Sequence, residues 1–346
     1  MRSFGFALLG LAVGCTDYHL NHSADPSDLG GDTDATDPGD DAVPTGEVGS
    51  VRGRICSPSE SSFVVGATVW VDLYGGGRVE TTTDADGWFL LEGVPTGTAT
   101  VHVEKGSFST EFPVEVHANE LTELAEEECL TDYDVQIAVV TGAYDSIEKV
   151  LDRLGFSYTL INGRNGSDHV TLLTNPDDLQ KYDIIFFNCG MRDNWVQRKG
   201  EIAQNVRDYV KSGGSVYTSD WSYTLAEAAY PSMVEFLGND SQAGAAYAGM
   251  TGTVHGVVKD PNMISALGSD QADITFDLGA WAVPEGVGSG TALITASFKT
   301  AYGNASGPLA VRQLDGDGQI LFTSFHNEQQ TTLDMDILLE EIILSL

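Results

Sequence analysis

Hydrophobic and polar positions alternate in two different rhythms along this chain. Between residues 48 and 130, short runs rich in β-branched and aromatic side chains are separated by Gly, Pro and Asp. These runs are Val51–Ile55, Ala67–Tyr74, Val79–Thr83, Trp88–Leu91, Thr98–Glu104 and Phe112–Val116. That spacing predicts the strands of a small β-sandwich. Asp84-Ala85-Asp86-Gly87 is predicted as a turn between two strands, with Gly87 suited to positive φ. Asp and Gly at this density are ordinary hairpin chemistry, so a turn is preferred to a calcium site.

From residue 134 the pattern alternates between strand and helix. Val135–Val140 is an almost unbroken apolar run, the mark of a strand buried on both faces of a parallel sheet. Asp145–Leu154 is predicted as a helix, with Ile147, Val150, Leu151 and Leu154 on one face and Gly155 closing it. Phe156–Ile161 and Tyr182–Phe187 are predicted as the next two strands. Trp195–Lys211 is read as a helix whose inner face carries Ile202, Val206, Tyr209 and Val210. Gly213-Gly214 ends it, Ser215–Thr218 is a fourth strand, and a strand from Gln319 leads to a closing helix over Asp334–Leu346. The expectation is a multidomain protein: a β-sandwich over 48–130 and a doubly wound, flavodoxin-like α/β domain over 134–346. Asp315-Gly316-Asp317-Gly318 is a hairpin turn, and the small residues of 239–252 form a long loop beside the site.

The segment before residue 48 has neither rhythm. Residues 16–50 hold nine acidic side chains, no Lys or Arg, and repeated Gly, Pro, Ser and Thr. Such a segment cannot bury enough apolar area to offset its chain entropy, so 15–47 is read as an extended acidic tether. The spaced aspartates Asp32, Asp34 and Asp37 lack EF-hand spacing and its closing Glu. At the extreme N-terminus, Arg2 precedes an apolar run over Phe4–Val13, half the length needed to span a bilayer. A positive start, a short apolar middle and small residues before a cut site describe a signal peptide over 1–14. The run Leu11-Ala12-Val13-Gly14-Cys15 resembles the lipobox of bacterial lipoproteins, with Ala12 where Leu is commoner. The resemblance implies cleavage before Cys15 and a diacylglycerol on its thiol. The membrane is then a partner through that lipid, and the protein sits in the cell envelope, at the outer membrane or cell surface.

Charge narrows the partners. The formal net charge is −34, of which the tether supplies only nine units, so the folded part is acidic too. A surface of this sign repels phosphates, and no nucleic acid is expected as a partner. Besides Cys15 the chain contains Cys56, Cys129 and Cys189, two of which can pair in an oxidising compartment.

Two further resemblances are carried by specific runs. Gly66-Ala67-Thr68-Val69, Thr82–Phe89 and Leu91–Thr98 together resemble the carboxypeptidase regulatory-like family. That likeness implies a transthyretin-like sandwich, usually a non-catalytic spacer or interaction unit on exported proteins. Cys56 lies early in this module and Cys129 just after it, so a disulfide clasping its ends is expected. Two unpaired thiols are the alternative, because Cα separation decides. Val206–Val216, with its Gly213-Gly214, and Phe325-His326-Asn327-Glu328 resemble the class I glutamine amidotransferase-like superfamily. The likeness implies His326 as a base oriented by Glu328, and it places the family's Cys nucleophile at Asp220.

That departure changes the chemistry expected. A carboxylate attacks an amide far less readily than a thiolate, and the small elbow residues are replaced by Ser219, Trp221 and Ser222. With Trp221 present the elbow turn is expected to relax, and glutaminase activity by the usual route is not expected. Ligands of such sheets sit beyond the carboxyl ends of the strands. The candidate ligand-binding residues are therefore Asn188, Cys189, Gly190, Ser219, Trp221 and Ser222, with Gly142-Ala143-Tyr144 on the neighbouring loop. Cys189 is read as a buried structural thiol, and Ser219 or Ser222 as a nucleophile only if the register shifts. His326, Glu328 and Asp220 are the candidate catalytic group. The same three could hold a divalent metal, although no cofactor is predicted, or persist as a relic network joining two loops. His169 and His255 are expected in loops, solvated. A non-catalytic module binding a small molecule or envelope ligand is the favoured function. The alternative is a hydrolase of an envelope or extracellular substrate working through His326 and Glu328.

Overall fold

Apolar alternation along the first third of the chain builds two four-stranded sheets that face each other. In chain order the strands are β1 (Val48–Cys56), β2 (Thr68–Asp72), β3 (Arg78–Thr82), β4 (Trp88–Pro95), β5 (Gly97–Lys105), β6 (Phe108–Val116), β7 (Leu121–Glu123) and β8 (Glu128–Cys129). One sheet has β1 between β4 and β7, with β8 also paired to β1, and the other runs β3-β2-β5-β6. Alternate residues such as Val51, Ile55, Val69, Leu91, Val101 and Val103 point inward and are buried. The two shortest strands, β7 and β8, carry too few residues for a period to register in the sequence. At the β3–β4 turn Gly87 has φ +76°, and Asp84 Oδ1 accepts the N–H groups of Asp86 and Trp88, each at 2.9 Å. The Asp84 carboxylate thus serves the turn itself. Cys56 and Cys129 are in register on adjacent strands, with Cα atoms 4.3 Å apart, and form a disulfide.

The computed structural model describes residues 46–238, 244–326 and 332–346. The second part continues with β9 (Ile137–Val140), α1 (Glu148–Leu154), β10 (Thr159–Ile161), α2 (Asp168–Thr174), α3 (Pro176–Leu179), β11 (Ile184–Phe187), α4 (Lys199–Lys211), β12 (Ser215–Ser219), α5 (Tyr223–Ala229) and β13 (Val234–Phe236). It closes with β14 (Gly252–Val258), α6 (Pro261–Leu267), β15 (Gln271–Phe276), β16 (Pro284–Val287), β17 (Thr291–Thr300), β18 (Gly303–Asp315), β19 (Gly318–Thr323) and α7 (Leu333–Leu344).

The central sheet has nine strands in the order β10-β9-β11-β12-β19-β18-β17-β14-β15. Its first five are parallel, and their order is the 2-1-3-4-5 arrangement of flavodoxin-like sheets. The fold is therefore a β-sandwich followed by a doubly wound α/β domain, as expected. The other four strands form an antiparallel wing that the sequence reading did not separate from the α/β rhythm. Strand β10 begins at Thr159, three residues later than predicted, because Phe156 packs inward against Phe108 with ring centroids 4.2 Å apart. The predicted helix over Trp195–Lys211 opens as a 3-10 segment over Asp193–Arg198 before α4.

Sandwich and sheet share a hydrophobic core. Phe108 and Val101 lie in the same buried cluster as Phe156, Leu339 and Leu346. The junction is close-packed, since a Cβ on Gly106 would stand 2.7 Å from the Leu344 carbonyl oxygen. No helix among the described residues is long and apolar enough to cross a membrane.

Candidate functional site

Four loops leave the carboxyl ends of β9, β11, β12 and β19 on one edge of the parallel sheet. The strand order reverses between β9 and β11, which is where flavodoxin-like sheets place their ligands. Glycines let two of these loops touch. A Cβ on Gly142 would stand 2.0 Å from the Cys189 carbonyl oxygen, and one on Gly190 (φ +85°) 2.6 Å from the Ala143 nitrogen. Tyr144 N–H donates to the same Cys189 carbonyl at 3.1 Å.

Asp220 occupies the turn after β12 and has φ +45°. The expected relaxation of this elbow does not occur. A non-glycine residue is held in the left-handed region, which costs on the order of 1–3 kcal/mol. Trp221 does not crowd the turn because its indole leans away and donates Nε1–H to the Ala280 carbonyl. The Asp220 carboxylate is engaged on both oxygens. Oδ1 accepts the Ala282 N–H at 2.7 Å, and Oδ2 accepts the Cys189 thiol at 3.3 Å. His326 Nε2 lies 3.5 Å from Oδ2. Asp220, Cys189 and His326 are 5%, 1% and 1% exposed.

The two serines are committed elsewhere. Ser219 Oγ donates to Asp145 Oδ2 at 2.6 Å and accepts the Cys189 N–H at 2.9 Å. Ser222 Oγ donates to the Asn188 carbonyl at 2.8 Å. The Asn188 side-chain amide donates to Glu148 Oε2 at 3.0 Å. Each hydroxyl therefore fastens one loop to another and is satisfied in doing so.

The electrostatics follow from burial among acids. Burial pushes the Cys189 thiol far up, and the Asp220 carboxylate beside it pushes the same way, so sulfur is a neutral thiol donor. Burial alone would lower the His326 pKa. The hydrogen bond to Asp220 and the charges of Asp145, Asp220 and Asp277 outweigh it and hold the imidazole above its ordinary range. The protonated ring of His326 is thus favoured beside Asp220.

The structure brings together Asp220, His326, Cys189, Asn188, Ser219 and Ser222, and Gly190 and Trp221 flank them. Glu328 and Cys15 lie outside the described residues. Asp145 was missed as a site residue. The sequence predicts it as the first residue of a helix, but α1 starts only at Glu148, and Asp145 sits buried in the loop at the sheet edge. Its position just after β9, on the edge where the other loops converge, was the available signal. His169 is corrected: it lies on α2, fully buried, with Nε2 2.8 Å from Asn194 Oδ1 and 3.1 Å from the Arg192 carbonyl. Its i, i+3, i+4 spacing to Leu172 and Leu173 marks that inner face. His255 is solvated but stands on β14, not in a loop, with Nδ1 2.5 Å from Asp273. Of the 239–252 loop, 239–243 lies outside the described residues. The remainder pairs at Ala248 with Ala282, the residue that donates to Asp220.

Residues 50–125 match the carboxypeptidase regulatory-like domain family. No curated protein matches the chain in sequence. Among solved structures, the chain is similar to a cytoplasmic protein from Salmonella typhimurium at 14% identity and TM-score 0.38, over 60% of this chain and 98% of that one. It is similar to a glutamine amidotransferase from Thermotoga maritima at 12% identity and TM-score 0.35, over 56% and 75%. It is also similar to the glutaminase domain of Trypanosoma brucei CTPS, solved with bound acivicin, at 16% identity and TM-score 0.37, over 61% and 93%.

Proposed function

We propose that this chain is a lipid-anchored protein of the cell envelope whose α/β domain binds rather than catalyses. One observation carries the reading: every side chain able to act as a nucleophile at the elbow is already engaged. Asp220 accepts from Ala282, Cys189 and His326, and Cys189 is a buried neutral thiol. Ser219 and Ser222 donate to Asp145 Oδ2 and to the Asn188 carbonyl. His326 Nε2 is already directed at Asp220 Oδ2, 3.5 Å away, and is not poised to take a proton from a neighbouring nucleophile.

The export part rests on the sequence. The lipobox-like run ending at Cys15 and the acidic tether support a lipid anchor, and a Cys56–Cys129 disulfide accords with an oxidising compartment. The sandwich is the interaction or spacer unit expected of a carboxypeptidase regulatory-like domain.

A hydrolase reading has one observation in its favour, the left-handed backbone at Asp220, which is the strained turn an elbow nucleophile needs. It requires an open approach to Asp220, and that residue is 5% exposed beside the Trp221–Ala280 contact. Activity-based labelling separates the two. Serine- and thiol-reactive probes are expected to leave the folded chain unlabelled; labelling abolished by His326→Ala would make it a hydrolase. For the anchor, radiolabelled fatty acid is expected on the wild type and absent from Cys15→Ala.

A further inference from the structure

The geometry points to a zinc-class divalent metal site formed by Cys189 Sγ, Asp220 Oδ2 and His326 Nε2. The proposal deepens the reading of this edge as a binding site and rests on it. The three donor atoms come from three different strand ends, β11, β12 and β19, and all lie within 4.8 Å of one another. Sulfur and carboxylate are 3.3 Å apart, and imidazole and carboxylate 3.5 Å. Zinc bonds of about 2.0–2.3 Å at tetrahedral angles put neighbouring ligand atoms roughly 3.3–3.7 Å apart. Two of the three pairs are therefore already at ligand spacing, and sulfur and imidazole lie within 4.8 Å of each other.

The donor set selects the ion. One sulfur, one nitrogen and one oxygen suit a borderline ion such as zinc and disfavour magnesium and calcium, which take oxygen ligands. Charge points the same way. Thiolate and carboxylate together carry two negative charges, matching a divalent cation, and Asp145 lies in the same buried neighbourhood. No Lys or Arg ion pair reaches Asp220 among the described residues. The Asn188 side-chain oxygen, on the residue before Cys189, is also buried without a hydrogen-bond partner among the described residues. Closure that keeps an organic substrate from Asp220 does not exclude an ion. Three protein ligands leave one tetrahedral position for water or a small ligand.

Binding is a simple exchange with no redox change. The Cys189 thiol and the His326 Nε2 each release a proton, and sulfur, nitrogen and a carboxylate oxygen each form one bond to the metal. The ion would then hold together three loops that hydrogen bonds join in its absence.

The test uses the full chain carrying Cys15→Ser, so that Cys189 is the one free thiol beside the Cys56–Cys129 disulfide. After chelator treatment and dialysis, Zn²⁺ is titrated and bound metal measured by elemental analysis. Co²⁺ is titrated in parallel for a thiolate-to-cobalt charge-transfer band. About one equivalent per chain and a charge-transfer band are expected. Cys189→Ala should remove both, and Asp220→Asn should weaken binding roughly 100-fold or more, since even outer-shell changes cost about 10–100-fold. Near-ultraviolet circular dichroism checks folding; if Asp220→Asn unfolds, the conservative Cys189→Ser variant decides in its place. Zinc uptake no greater than that of Cys189→Ala, or cobalt binding without the band, overturns the metal site. Metal failure with silent activity probes leaves the non-catalytic reading standing, whereas probe labelling lost in His326→Ala removes that reading whatever the metal result.

Discussion

The Lys105 ammonium, on the last residue of β5, donates to Glu341 Oε1 on α7 at 2.5 Å, and both side chains are about 95% buried. The pair joins residues 236 positions apart across the junction of sandwich and α/β domain. Beside it Ser107 Oγ donates to the Leu346 carbonyl at 2.8 Å. Breaking such a pair leaves one charge buried without compensation. Lys105→Met is expected to destabilise the chain by about 3–5 kcal/mol, whereas Lys105→Met with Glu341→Leu should be neutral or stabilising by about 1–4 kcal/mol. Urea unfolding of the two variants measures the difference, and equal losses would contradict it.

The same pair sets a pH dependence. Burial pushes the Glu341 carboxyl above its ordinary value of 4.5, more than Lys105 lowers it. The folded state therefore binds this proton more tightly than the unfolded chain. Its stabilising contribution is complete below 4.5 and is lost as pH rises through the raised folded value. Glu340, raised chiefly by burial, acts in the same direction. Urea midpoints measured upward from pH 4.5 should fall for the wild type and fall less for the double variant. For Lys105→Met alone the destabilisation should shrink toward low pH, where Glu341 takes up a proton.

The Cys56–Cys129 disulfide closes a loop with a sequence separation of 73. Removing a cross-link of that length is expected to cost about 4 kcal/mol through the entropy of the unfolded chain. Cys56→Ser with Cys129→Ser should lower the unfolding midpoint accordingly, and reductant should reproduce the shift in the wild type. A shift with reductant in the double variant would point instead to Cys189 or Cys15.

Gly142 tests the close approach of the site loops. Its missing Cβ lies 2.0 Å from where it would meet the Cys189 carbonyl oxygen, so Gly142→Ala must displace one loop. A loss of about 1–3 kcal/mol is expected, as for overpacking elsewhere. Gly200→Ala on exposed α4 meets nothing within 4 Å and should be neutral or stabilising by up to about 1 kcal/mol. Thermal melts of both variants check the contrast.

How far the sequence could be read depends on the range of the interaction involved. Burial of Ile147 at the start of α1 and of Val150, Leu151 and Leu154 on it, and of Ile202, Val206, Tyr209 and Val210 on α4, follows from a period of about 3.6 residues that needs no knowledge of partners. The unbroken apolar strands β9 and β11 likewise announce a parallel sheet. Misreadings came where a period was short or a side chain's environment was set from afar. His169, expected in a loop and solvated, lies buried on α2, where Asn194 and the Arg192 carbonyl satisfy its ring from outside the helix. The elbow was expected to relax because Trp221 is bulky, yet the Ala280 carbonyl draws the indole aside.

By itself, then, the sequence determined the two rhythms and the loops that carry Asn188, Cys189, Ser219 to Ser222 and His326, with Asp220 at the turn after the fourth strand. Each of these is a local property of residue type and order. Only the tertiary structure decided that Asp145 reaches Ser219, that the Cys189 thiol donates to Asp220, and that Glu341 meets Lys105 inside a shared core. Those contacts depend on which strands become neighbours and how closely glycines let their loops approach. Packing of the whole chain selects that arrangement, and no window of the sequence contains it.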